Sequence, residues 1–284
     1  TTDWLAENLG ATDLVVLDVR GKVLPAGTPG PRYQPKRAEY ETAHIPGASF
    51  VDWTRDIVDE SDPVPAQVGA PETLARLFGG LGISNGNRVV AYDDYNHAFA
   101  GRLAWVLRYV GHDAVHILDG GFAKWVREGR STTSDVPKPM PKTFVPNPRP
   151  ALRRDRDAIL DVVKRGSQGT LLIDARPAAQ FEGKVSAASR SGHVPGAKNV
   201  PYAELVDATT GEFLPADRLR GVFTSHGIDT ESLPSEIVTY CNGGVTATVV
   251  QNALRILGRD DVAVYDGSWN EWGNDPALPI VSGD

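Results

Sequence analysis

Glu236-Ile237-Val238-Thr239-Tyr240-Cys241-Asn242-Gly243-Gly244-Val245-Thr246-Ala247 changes character at its middle. The first half is rich in β-branched and aromatic residues and predicts a buried strand. From Ala247 to Leu257 apolar residues recur at helical spacing and stop at Gly258, which predicts a helix with a glycine cap. The loop between them carries two glycines, which can supply backbone conformations closed to other residues. Strand, short loop and helix in that order are what a parallel sheet with crossover helices requires, and ligands collect at the carboxyl ends of such strands.

The same pattern occurs earlier in the chain, in order. Leu14-Val15-Val16-Leu17-Asp18-Val19-Arg20 is echoed by Thr170-Leu171-Leu172-Ile173-Asp174-Ala175-Arg176, and Ala43-His44-Ile45-Pro46-Gly47-Ala48 by Gly192-His193-Val194-Pro195-Gly196-Ala197. Val89-Val90-Ala91-Tyr92-Asp93 matches Ile237-Val238-Thr239-Tyr240-Cys241, and Leu118-Asp119-Gly120-Gly121-Phe122 matches Tyr265-Asp266-Gly267-Ser268-Trp269. A period of about 150 residues is a duplicated domain rather than a solenoid unit. Helical patterns at Pro71 to Leu81, Gly101 to Val110 and Arg153 to Arg165 alternate with the short strands. The expectation is an α/β protein with two copies of one domain, each a mainly parallel sheet flanked by helices. Residues 1–135 form the copy without cysteine, 136–150 a proline-rich linker (Pro137, Pro139, Pro141, Pro146, Pro148, Pro150) and 151–284 the copy with the thiol.

Cys241 is the only cysteine among 284 residues, which excludes an intrachain disulfide framework and a cysteine-rich metal site. A thiol of reference pKa about 8.5 is only a few per cent ionised at neutral pH, and the thiolate is the nucleophile. Making it mostly thiolate takes about 2.7 kcal/mol. A helix dipole supplies about 0.3–1 kcal/mol, whereas each hydrogen bond to an ionised acceptor is worth about 1.5–3 kcal/mol. The expected cradle is therefore the backbone N–H groups of Asn242, Gly243, Gly244, Val245 and Thr246. Against this stands a buried cysteine that merely packs as a small apolar residue.

A net charge of −7 argues against a general nucleic-acid or anionic-membrane binder. No run of about 18 apolar residues and no signal pattern at Thr1-Thr2-Asp3-Trp4-Leu5 appears, so a soluble chain from a reducing, cytoplasmic compartment is expected. The start at Thr1 leaves a trimmed targeting segment open.

Tyr40-x-x-x-His44-Ile45-Pro46-Gly47-Ala48, Tyr265-Asp266-Gly267-Ser268-Trp269-Asn270-Glu271-Trp272 and the loop after Cys241 together resemble the tandem-domain rhodanese family, which includes thiosulfate and 3-mercaptopyruvate sulfurtransferases. The resemblance implies a sulfurtransferase. Cys241 takes sulfane sulfur from a small donor as a persulfide and passes it to cyanide, a thiol, or a protein thiol such as thioredoxin, with no metal or organic cofactor. Asp93 stands where the first copy would need a cysteine, so one active centre is expected. The second position after the cysteine, often lysine in thiosulfate-type loops and serine in mercaptopyruvate-type loops, is Gly243, so the donor cannot be read from the loop.

An anionic donor needs a partner charge, and Arg190, with Lys184, is the candidate for a carboxylate contact. Asp52 is a further substrate-binding candidate, with turn capping as its competing role. Arg20 and Arg176 are expected in structural ion pairs, and His44 and His193 in turns, since both recur in the copy that lacks the thiol. The mixed-charge run Arg153-Arg154-Asp155-Arg156-Asp157 is expected as a solvated helix start. Two other classes stand beside the sulfurtransferase. A cysteine phosphatase needs an arginine where Ala247 stands; a persulfide carrier without turnover shares every feature of the loop.

Overall fold

The computed structural model describes residues 1–24 and 28–283, which divide into two compact units. The first comprises Thr1–Glu60, Val68–Arg149 and Thr209–Glu212; the second Ser61–Gln67, Pro150–Ala208 and Phe213–Asp284.

In chain order the first unit contains α1 (Thr2–Asn8), β1 (Leu14–Asp18), β2 (Gly21–Val23), β3 (Tyr33–Pro35), α2 (Arg37–Thr42), β4 (Ser49–Phe50), α3 (Pro71–Gly80), β5 (Arg88–Tyr92), α4 (Ala98–Tyr109), β6 (Val115–Ile117) and α5 (Gly121–Arg127). Its main sheet is parallel throughout in the order β4-β1-β5-β6. Leu5, Val16, Ile45, Val90, Tyr92 and Trp125 fill the core on one face.

The second unit contains β7 (Arg153–Arg154), α6 (Arg156–Lys164), β8 (Thr170–Asp174), α7 (Ala178–Phe181), β9 (Lys198–Asn199), α8 (Ala216–Ser225), β10 (Glu236–Tyr240), α9 (Ala247–Ile256), β11 (Ala263–Tyr265) and α10 (Ser268–Trp272). Its five strands run parallel in the order β7-β11-β10-β8-β9, with Leu172, Val238, Tyr240, Trp269 and Trp272 in the core. The central strands of both sheets are apolar because helices cover both faces.

The duplication holds to the level of register. Asp18 pairs with Tyr92 on β1 and β5, and Asp174 with Tyr240 on β8 and β10. The hydroxyl of Tyr92 accepts the N–H of Ile45 at 3.2 Å, and that of Tyr240 accepts the N–H of Val194 at 3.1 Å. These bonds fix the end of the strand from which the loop leaves.

Two sequence expectations shift at helix starts. Arg153 and Arg154 form the short strand β7 before α6 begins at Arg156, with Asp155 capping Ala158 N–H. Arg153 pairs with Asp266 at 3.1 Å and Arg154 with Glu236 at 2.9 Å, so these two are drawn into the sheet, while Asp155 and Asp157 remain exposed as expected. α4 begins at Ala98, a turn before Gly101. The proline-rich segment lies along the first unit as an extended strap. Lys142 N–H donates to Gly79 O at 2.9 Å, Asn147 N–H to Val110 O at 2.8 Å, and Phe144 meets Phe78 edge-on.

Candidate active site

Cys241 follows β10 directly and is buried, with 2% of its surface exposed. Four hydrogen bonds hold the turn that starts there against the turn leading into α10. Ser268 Oγ accepts the N–H of Cys241 at 3.1 Å and that of Gly244 at 3.0 Å, and donates its proton to Tyr265 O at 2.8 Å. Trp269 N–H donates to Cys241 O at 3.0 Å, and Asn270 N–H to Asn242 O at 2.7 Å. Gly244 has φ +70°, the left-handed region, which is why glycine suits that position. Among the described residues the N–H groups of Gly243, Val245, Thr246 and Ala247 donate to no other protein group.

The first unit shows what such a turn holds. The carboxylate of Asp93, 1% exposed, accepts four backbone N–H bonds: Tyr95 at 2.9 Å and His97 at 3.1 Å on Oδ1, Phe99 and Ala100 at 2.8 Å each on Oδ2. Counting from Asp93 and Cys241, these positions correspond to Gly243, Val245, Ala247 and Thr248. Phe122 N–H donates to Asp93 O at 2.9 Å, as Trp269 N–H does to Cys241 O. A carboxylate oxygen lies two bonds beyond Cβ, one bond further out than Sγ. The carboxylate oxygens held in the first unit thus lie one bond further from the backbone than Cys241 Sγ does in the second.

This revises the expected cradle in two ways. Gly244 N–H goes to Ser268, and the sister loop uses the equivalents of Ala247 and Thr248, which the sequence reading left out. Ser268 was also missed; comparison of the copies carries a signal for it, because a serine replaces Gly121 in an otherwise matched motif.

The candidate donor-binding residues have partners of their own. Arg190 donates from Nη1 to Leu278 O at 2.9 Å and from Nη2 to Trp272 O at 2.9 Å and to Asp275 O. Its guanidinium holds the chain after α10 through both Nη atoms, because carbonyls at a helix end lack intrahelical partners and attract cations, while its Nε is buried with no partner among the described residues. Lys184 is 71% exposed along its side chain and pairs with Glu182 at 2.5 Å. Asp52 belongs to the first unit, where Oδ1 accepts the N–H of Thr54 at 2.9 Å and its hydroxyl at 2.6 Å, the geometry of a capped turn.

Arg20 and Arg176 form the expected buried ion pairs, with Asp18 at 2.8 Å and Asp174 at 2.6 Å. Burial works against the charge of Arg176, yet Asp174 holds its pKa above the usual arginine value, and Cys241 adds to that effect. His44 Nδ1 lies 2.8 Å from Tyr40 O and His193 Nδ1 2.8 Å from Phe181 O, a turn role in each copy. Among the described residues no group of three His, Cys, Asp or Glu side chains could hold a metal ion, and no helix is long and apolar enough to cross a membrane.

Two parallel α/β units with matched strand-loop-helix turns, one turn ending in a lone thiol, define a class of protein that the family comparison resolves. Residues 1–128 and 160–275 match the Rhodanese-like domain, and the chain belongs to that family. It is 35% identical to the "Sulfur carrier protein TtuD" of Thermus thermophilus, over 100% of this chain and 96% of the relative. It is equally 35% identical to the "Thiosulfate/3-mercaptopyruvate sulfurtransferase 2" of Arabidopsis thaliana, over 99% of this chain and 85% of the relative. The solved SseA from Escherichia coli, described as a 3-mercaptopyruvate sulfotransferase with the "Rhodanese" fold, superposes with TM-score 0.82 at 33% identity, covering 94% of this chain and 97% of that one.

Proposed function

We propose that this protein is a sulfurtransferase in which Cys241 carries the sulfur. The observation that supports it most is the four-amide grip on Asp93, because the matched turn in the second unit offers the same kind of cradle beside a thiol. In the first half-reaction the Cys241 thiolate attacks the outer sulfur of the donor. With thiosulfate the S–S bond breaks and sulfite leaves with the electron pair; with 3-mercaptopyruvate the C–S bond breaks and the departing enolate takes a proton to give pyruvate. In the second, cyanide or a thiolate attacks the outer sulfur of the persulfide, forms the new bond to it and returns the Cys241 thiolate. The amides of Gly243, Val245 and Ala247, which donate to no other described protein group, hold the outer sulfur, while Thr248 N–H goes to Val245 O at 3.1 Å. Hydrogen bonds to an ionised acceptor are worth about 1.5–3 kcal/mol each, so they favour the loaded state over loss of sulfur to solvent. Within the proposed division at 136–150, residues 151–284 are the catalytic copy and 1–135 the copy without a sulfur carrier. A free thiol of this kind suits a reducing compartment such as the cytoplasm.

A second reading, a carrier that receives persulfide sulfur from another protein and passes it to a protein thiol, is favoured by the Thermus relative's description. Intact-mass measurement after mixing with thiosulfate or 3-mercaptopyruvate separates them. Gain of one sulfur atom, removed by cyanide with catalytic turnover, supports the enzyme. No gain from either donor, with gain from a persulfidated protein, supports the carrier.

A further inference from the structure

Arg176 engages two of its three guanidinium nitrogens. Nε donates to both carboxylate oxygens of Asp174 at 3.0 Å, and Nη2 donates to Asp174 Oδ2 at 2.6 Å and to Gly192 O at 2.8 Å. Nη1 is buried and, among the described residues, has no hydrogen-bond partner, in a side chain only 1% exposed. A guanidinium is planar, with Nη1 at the corner opposite the edge made by Nε and Nη2. Asp174 occupies that edge, so the Nη1 corner of the cation is turned away from its counter-charge. A buried charged donor without an acceptor is destabilising by itself, and is matched once an anion forms beside it.

The packing sets this cation among the neighbours of the thiol. Its central carbon lies 4.3 Å from the centre of the Trp269 ring and 5.8 Å from that of Tyr240. Tyr240 precedes Cys241 and accepts the N–H of Ala175 on its carbonyl at 2.8 Å, while Trp269 N–H donates to Cys241 O. Negative charge on Cys241 is among the influences that sustain the charge of Arg176. The other ionisable groups around this turn are committed. Burial and Asp174 push the Tyr240 hydroxyl well above the usual tyrosine value, so it stays neutral. Asp266 pairs with Arg153, Glu271 of α10 bonds to the Tyr265 hydroxyl, α9 carries only Arg255 in its last turn, and α7 carries no charge.

We propose that Arg176 is a further residue of the sulfur-transfer site, its Nη1 corner supplying the positive charge that holds Cys241, and then its persulfide, in the anionic form. This rests on the reading of Cys241 as sulfur carrier and deepens it. The main-chain amides fix where the outer sulfur lies; the guanidinium sets how much of the sulfur is charged at neutral pH. Arg20 pairs with Asp18 in the same way and donates from Nη2 to Ala43 O at 2.7 Å, in a unit that has no thiol, and so provides a matched control.

The test follows alkylation of Cys241 by iodoacetamide against pH, which reads the thiolate of the one cysteine in the chain. Arg176→Lys keeps a cation against Asp174 and removes the Nη1 corner. The pH of half-maximal reaction should rise by about one unit, the low end for losing a neighbouring opposite charge, and sulfur loading at neutral pH, followed by intact mass, should slow with it. Arg20→Lys makes the same change in the matched pair and should leave both readings as in wild type. If Arg176→Lys does not fold, Asp174→Asn with Arg176→Gln removes the pair as a unit, with Asp18→Asn and Arg20→Gln as its counterpart, and the same rise is expected. A folded Arg176 variant with the wild-type pH profile overturns the proposal, as does an equal shift in the Arg20 variant. Wild-type Cys241 that gains no sulfur from either donor or from a persulfidated protein defeats the sulfur-carrier reading instead, a result the mass separates from an unchanged alkylation profile.

Discussion

Ser268 and Asp93 show how single atoms set this chemistry. Ser268 Oγ gathers the N–H groups of Cys241 and Gly244, at 3.1 and 3.0 Å, and so fixes where the loop begins. Ser268→Ala would leave two buried donors without an acceptor, at about 1–3 kcal/mol each. Denaturant unfolding should show that loss, and sulfur loading of Cys241 should slow with it; an unchanged loading rate would reduce Ser268 to a packing role. Asp93→Ala removes the acceptor of four N–H groups and should destabilise the protein by about 3 kcal/mol or more by the same reasoning, without removing sulfur transfer. Cys241→Ser should do the reverse, ending transfer while keeping stability within about 0.5 kcal/mol, as a near-isosteric change does away from special features; surviving transfer would point to another site.

At the scale of elements, the turns after β5 and β10 are built alike and tuned differently. A Cβ added at Gly121 would lie 2.2 Å from Asp93 O, whereas the matched position in the second unit already carries Ser268, at φ +51°. Gly121→Ala should cost about 1–3 kcal/mol by overpacking, seen as a lower melting temperature. α10 carries a pH response. Burial pushes the Glu271 carboxyl above its usual range, against the opposing hydrogen bond from the Tyr265 hydroxyl at 2.9 Å. A carboxyl whose folded value is raised favours folding while protonated, so its contribution is present below the ordinary carboxyl value and is lost as pH rises through the folded one. Glu271→Gln should therefore gain stability relative to wild type as pH rises from below the ordinary carboxyl value to well above it; a difference that does not change with pH would show that Glu271 is not the titrating group.

These elements also mark what the sequence could reveal. β10, the glycine loop and α9 were legible because a β-branched run and a helical apolar repeat meet at glycines, and α9 spans Ala247–Ile256 as expected. β7 was not, since a strand of two residues has no periodicity and its partner β11 lies far along the chain. Nor was the start of α4, which depends on Asn96 and His97 adopting left-handed backbone at φ +51° and +62°. Within the site the thiol was legible as a lone cysteine at a strand end. The grip of Ser268 was not, because it joins residues 27 apart, nor were the carbonyl contacts of Arg190, because charge shows in a sequence while a cluster of carbonyl ends does not.

For the molecule as a whole, the two copies share a matched turn, in one filled by its own carboxylate and in the other starting from a thiol one bond shorter. A persulfide on Cys241 would match the carboxylate of Asp93 in length from the backbone. The central claim is that its outer atom is the transferred sulfur, held by main-chain amides. A crystal structure of the donor-loaded protein tests it most directly. The account predicts extra density on Cys241 Sγ with the outer sulfur within hydrogen-bonding distance of the N–H groups of Gly243, Val245 and Ala247; an outer sulfur turned away from those amides, or density on no atom of Cys241, would contradict it.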